Sequence, residues 1–240
     1  MIPKIIHFCW FGTNPLSEDV KNYIETWKKH LPDYEIKMWN EDNFNYNEFD
    51  FSREAYQKKK YAFVSDFCRL FVLAKHGGVY LDTDVEVLKS FDDLLNQKAF
   101  MGYEDFRMIG TSVIGSEPNS EFISEILQIY KTKKFILDND KIDVTPNVVV
   151  ITNYLKEKNI ITDRGIDNYD EKLTIYTRDY FSPKVFDTKK INITENTYSI
   201  HHFSQSWTSL NHQIIQIFKT ILVKIIGFDL TRKIIDYVKK

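Results

Sequence analysis

The stretch from Tyr61 to Asp84 limits the fold more than any other part of the chain. Phe63, Phe67, Leu70 and Ala74 recur at three- and four-residue intervals, which predicts a helix over 61–76 with one apolar side. Gly77-Gly78 follows and can stop that helix by reaching positive φ. Val79-Tyr80-Leu81 then has the length and apolar character of a buried strand, and it delivers Asp82-Thr83-Asp84. Because side chains alternate along a strand, continued strand geometry would set Asp82 and Asp84 on one side, a seat for a divalent cation. For these three residues taken alone, a solvated turn is an equal alternative.

The surrounding pattern predicts an α/β protein. Strands are expected over 4–10, 34–39, 98–103, 109–115 and 198–203, and helices over 17–29, 120–131 and 147–157, with Ser17 as a candidate N-cap and Pro15 and Pro146 as breakers. Residues 40–60 read as irregular with short helical turns. Between 158 and 197 only short apolar islands stand out, including 173–176 and 184–186. Helices covering a sheet are the expected architecture. With no long linker or internal repeat, the organisation expected is one domain over 1–210 and a helical appendage over 211–240.

Charge and cysteine usage narrow the classes of function. The net charge is −2, but Lys219, Lys224, Arg232, Lys233, Lys239 and Lys240 against Asp229 and Asp236 give the last thirty residues +4 and leave −6 on the rest. The body therefore has no basic surplus for nucleic acid. The stretch 214–228 is apolar but short and interrupted for a transmembrane span. It reads either as a helix packed on the body or, with its basic neighbours, as a peripheral membrane contact. The N-terminal residues read as a core strand rather than a secretory leader, so cytoplasmic residence is expected. Cys9 and Cys68 fall in predicted core elements and supply neither a zinc set nor a disulfide framework.

Asp66 and Arg69, three residues apart, share a side of the predicted helix. They can form a local ion pair or, together with Asp82 and Asp84, a polar pocket with both acceptors and donors. Asp66-Phe67-Cys68-Arg69 followed by Gly77-Gly78-Val79-Tyr80-Leu81-Asp82-Thr83-Asp84 resembles the DXD sugar-binding region of family 32 glycosyltransferases. That family includes capsular and surface-polysaccharide enzymes and fungal mannosyltransferases, with the clostridial glucosylating toxins as distant relatives. Pro3-Lys4-Ile5-Ile6-His7-Phe8-Cys9-Trp10 and the segment from His201 to Trp207 carry the likeness further.

The resemblance implies a GT-A-like nucleotide-sugar-binding domain with a mixed central sheet. It implies that Asp82 and Asp84 place Mn²⁺ or Mg²⁺ on the donor diphosphate, that Trp10 stacks on the nucleotide base, with core packing as the alternative for that residue, and that Asp66 and Arg69 meet the donor sugar and phosphate. Ser65 and Tyr80 are further pocket candidates, with a helix surface and a core aromatic as their plainer readings. His202, Ser206 and Trp207 are candidates for organising phosphate or metal, with a hydrophobic hinge as the plainer reading of Trp207. Since His201 and His202 alternate across the expected strand, only one of them need face the pocket. Asp105 is a candidate for orienting an acceptor hydroxyl, or a solvated loop residue.

The expected activity is retaining transfer of a hexosyl group, from UDP-galactose or UDP-glucose, to a glycan or lipid-linked glycan in bacterial capsule or surface polysaccharide synthesis. Peripheral attachment to the inner face of the membrane is the matching expectation. A noncatalytic glycan-binding protein and a toxin-like protein glycosyltransferase are the alternatives.

Overall fold

The computed structural model describes residues 1–204 except 106, 139, 163, 164, 167–170 and 187. Its elements run β1 (Ile5–Cys9), α1 (Glu18–His30), β2 (Glu35–Trp39), α2 (Asp50–Gln57), α3 (Tyr61–His76), β3 (Gly78–Leu81), β4 (Val85–Val87), β5 (Ala99–Tyr103), β6 (Ile109–Ser116), α4 (Glu121–Thr132), α5 (Asn147–Glu157), β7 (Ile161–Thr162), β8 (Gly165–Ile166), β9 (Thr174–Tyr176) and β10 (Ser199–His201). The main sheet has the order β2-β1-β3-β6-β5-β9. β1 is parallel to β2 and β3, β6 is antiparallel to both β3 and β5, and β9 is parallel to β5. It is a mixed sheet flanked by helices, the architecture of a GT-A-like nucleotide-sugar-binding domain.

Alternation along the strands divides the core into two layers. Ile6, Phe8, Val79, Leu81, Phe100 and Val113 pack on one face with Val20, Ile24 and Trp27 of α1. Cys9, Tyr80, Met101 and Ile114 pack on the other with α2, α3, α4 and α5. Strands covered on both faces read as continuous apolar runs, which is why β3 is short yet legible. Ser17 caps α1, its hydroxyl accepting from Val20 N at 3.4 Å. The indole of Trp27 donates to Val85 O at 2.7 Å and ties α1 to β4.

The helix-to-strand joint is built around His7. Trp39 Nε1 donates to His7 Nδ1 at 3.0 Å, so the ring proton sits on Nε2, which donates to Gly77 O at 2.8 Å. Burial keeps this imidazole neutral, lowering its pKa to about 4. Gly77 and Gly78 have φ of +64° and +102°, and a Cβ on Gly78 would lie 2.7 Å from Ile5 O. The glycines thus allow both the turn and the approach of β1.

Two expectations change. Residues 50–57 form one continuous helix within the stretch expected to be irregular with short helical turns, because Phe51, Ser52 and Ala55 all turn inward while Asp50 pairs with Arg53 one turn on. The late strand covers Ser199–His201 rather than 198–203, ending before Phe203, whose φ is +55°. Ser206, Trp207 and the appendage expected over 211–240 lie outside the described residues. Among the described residues, no helix is long and apolar enough to cross a membrane.

Candidate active site

Three parallel strands deliver the site. β1, β3 and β5 all run toward one sheet edge, so Trp10, Asp82 and Glu104, which follow them, share that edge. β3 stops at Leu81, and Asp82 N donates to Ser112 O of β6 at 2.9 Å. Val85 N then donates to Asp82 O at 3.1 Å. This closes a turn over Asp82-Thr83-Asp84 before β4 begins. The two carboxylates therefore converge through a turn and not through strand alternation.

Arg69 is the hub beneath them. Its Nη2 lies 2.9 Å from Asp66 Oδ1 and 3.2 Å from Asp82 Oδ1. Nη1 donates to Thr111 O at 2.8 Å and Nε to Ser65 O at 3.4 Å, while the guanidinium lies 4.5 Å from the centre of the Tyr80 ring. This planar fork uses several of its donors at once, as a lysine could not. Burial works against the Arg69 charge, but Asp82, Tyr80 and Asp66 outweigh it and its pKa is raised. Burial raises the Asp66 carboxyl to about 6, with Arg69 opposing the shift. Tyr80 fills the core and also donates its hydroxyl to Asp82 Oδ1 at 3.1 Å.

Asp84 faces β10. Pairing of β4 with β10 sets His201 opposite Val85, and His201 Nε2 lies 3.3 Å from Asp84 Oδ1. Asp84 Oδ2 accepts from Ser204 N at 2.7 Å and its carbonyl from His202 N at 2.9 Å. Burial alone would raise the Asp84 pKa, but His201 and the Ser204 amide bring it down to about 2. Burial alone would lower that of His201, but Asp84 and Glu104 hold it up at about 9. One ligand atom from each of Asp82, Asp84 and His201 lies within 4.8 Å of the others. Two carboxylates and an imidazole form a donor set that fits a divalent cation.

The remaining expected residues divide. His202 points away from the acid pair, with Nε2 2.8 Å from Glu86 Oε2, Nδ1 3.3 Å from Lys184 Nζ and its ring stacked 4.9 Å from that of Tyr23. Of the two adjacent histidines, His201 is therefore the one brought to the carboxylates. Trp10 is half-buried at the shared edge, its indole donating to Asn14 O at 2.7 Å. Ser65 turns its hydroxyl back to Tyr61 O at 3.1 Å, a bond within its own helix. Asp105 is exposed and caps the loop, accepting from Arg107 N at 2.7 Å and Met108 N at 2.8 Å. Glu104 is not singled out by the sequence, yet its Oε2 lies 3.7 Å from His201 Nδ1.

Residues 17–101 match the family model described as the glycosyltransferase sugar-binding region containing DXD motif. The domain is glycosyltransferase-like. An uncharacterized glycosyltransferase of Acanthamoeba polyphaga mimivirus is 29% identical over 219 residues, covering 86% of this chain and 84% of the viral protein. Inositol phosphoceramide mannosyltransferase 3 of Schizosaccharomyces pombe is 29% identical over 131 residues, 53% of this chain and 36% of the yeast protein. The glycosyltransferase-like domain thus accounts for only about a third of that fungal relative. A solved glycosyltransferase involved in glycosylating the major capsid protein of PBCV-1 shares the fold, with a TM-score of 0.52 at 11% identity, covering 91% of this chain and 99% of that one.

Proposed function

We propose that this domain is a metal-dependent, retaining hexosyltransferase that takes its sugar from a nucleotide sugar. The observation that carries the reading is the convergence of Asp82, Asp84 and His201 to within 4.8 Å, at the same sheet edge as Trp10 and beside the buried Asp66–Arg69 pair. A divalent cation held by those three side chains supplies positive charge to offset that of a diphosphate leaving group. Trp10 offers a flat aromatic surface for the nucleotide base. Asp66, in its ionised form, accepts hydrogen bonds from donor-sugar hydroxyls. Arg69 keeps Asp66 and Asp82 in register, and its positive charge stabilises the negative charge that builds on the departing phosphate. In retaining transfer, the acceptor hydroxyl attacks from the face the phosphate leaves, and the phosphate oxygen takes the acceptor's proton.

UDP-galactose or UDP-glucose is the proposed donor. A glycan or lipid-linked glycan of a bacterial surface polysaccharide is the proposed acceptor, and the likeness to a fungal inositol phosphoceramide mannosyltransferase favours a lipid-borne one. Residues 1–210 would form the catalytic unit, with Ser206 and Trp207 near the diphosphate. The basic appendage over 211–240 would rest on the inner face of the membrane. The test is a donor screen with purified protein across UDP-galactose, UDP-glucose, UDP-N-acetylhexosamines and GDP-mannose, with Mn²⁺ or with chelator. Metal-dependent transfer or donor hydrolysis is expected. Sugar binding without turnover for any donor would replace the enzyme by a glycan-binding protein.

A further inference from the structure

We infer that Glu104 is a positioning residue: it fixes the orientation and tautomer of His201 so that Nε2 faces the cation. The inference rests on the metal-site reading above. His201 offers its two nitrogens to different partners, with Nε2 3.3 Å from Asp84 Oδ1 and Nδ1 3.7 Å from Glu104 Oε2. Nε2 belongs to the cluster whose ligand atoms lie within 4.8 Å of one another. To ligate, it gives up its lone pair and carries no proton, so the proton of the neutral ring lies on Nδ1. Nδ1 is buried without a hydrogen-bond partner, and a buried N–H left in that state is costly.

Glu104 is placed to answer that need. It follows β5 at the edge shared with Asp82, and its own amide donates to Met108 O at 2.9 Å, which closes the loop into β6. Its Cβ packs against Gly110, where an added Cβ would stand 3.1 Å away. The backbone is therefore held where the carboxylate faces Nδ1 of His201. A closure of about 0.8 Å brings Oε2 to ordinary N–H···O distance from Nδ1. The result is a carboxylate–histidine–metal chain, in which the outer carboxylate orients the ring and raises its basicity as a ligand.

The test is Mn²⁺ binding to the full chain, followed by the electron paramagnetic resonance of free Mn²⁺, for wild type, Glu104→Gln, Glu104→Met and His201→Ala. Glu104→Met should weaken binding by roughly 10–100-fold, whereas Glu104→Gln, which retains an acceptor oxygen, should stay close to wild type. Wild-type affinity in a folded Glu104→Met protein overturns the inference while leaving the metal site standing, even if turnover falls. Failure of wild type itself to bind overturns both. Should Glu104→Met not fold, nitrogen-15 spectra of wild type with Mg²⁺ decide the matter, with the His201 signal assigned by its absence in His201→Ala. An Nδ1 proton shifted downfield by a hydrogen bond to a carboxylate supports the role, and an Nδ1 proton without that shift, or a proton on Nε2, overturns it.

Discussion

Arg69 Nη2 lies 3.2 Å from Asp82 Oδ1, a contact that joins the helix α3 to the acid turn. The same nitrogen holds Asp66 at 2.9 Å, and both Arg69 and Asp66 are almost wholly buried. Replacing Arg69 by Met leaves the Asp66 carboxylate buried without its cation, and should cost ~3–5 kcal/mol in urea unfolding at neutral pH. Arg69→Lys should recover only part of that, since an ammonium cannot reach Thr111 O and both acids together. Full recovery by Lys would show that charge alone is needed there.

The adjacent histidines should behave differently. His201→Ala removes a candidate ligand and should weaken Mn²⁺ binding by at least ~10-fold by calorimetry. His202→Ala should leave Mn²⁺ affinity near wild type, at a stability cost of ~1 kcal/mol from its lost bond with Glu86. The reverse order would move the metal site to the other side of β10.

Cation binding should strengthen with pH. Asp84 and Glu104 hold the His201 pKa up at about 9, and a proton must leave before Nε2 can ligate, so affinity should rise ~10-fold per unit between pH 7 and 9. For the metal-free protein the sign is opposite. A histidine whose folded pKa lies above the unfolded 6.5 adds stability that is complete below that value and lost as pH rises through about 9. Melting temperatures should thus fall from pH 6.5 to 9 without metal, and this decline should diminish in His201→Ala.

Gly78→Ala should destabilise the fold although it adds one methyl group. At φ of +102° the new Cβ is strained, and it would meet Ile5 O at 2.7 Å and His7 Nε2 at 2.9 Å. A loss of more than ~2 kcal/mol is expected from chemical denaturation. An unchanged midpoint would show that β1 and β3 can separate without cost.

What was legible in the sequence was local. The apolar periodicity of Tyr61–His76, the glycine stop and the run Val79–Leu81 are matched by α3 and β3, because each leaves its signature within a short stretch of sequence. The acid pair was legible as chemistry but not as geometry, since a turn closed by Val85 N replaces the strand. The choice between His201 and His202 was hidden because it depends on the register of β10 with β4. Glu104 gave no local signal at all; its place comes from β5 entering the sheet parallel to β3 with β6 between them.

Asp84 accepts the Ser204 amide on Oδ2, the His202 amide on its carbonyl, and faces His201 with Oδ1. The acid turn and residues 201–204 consequently behave as one mechanical part. Moving the Asp84 carboxylate would strain the Ser204 amide that it holds. The Asp84 carboxylate is therefore the point at which the acid turn and the end of β10 are fastened together.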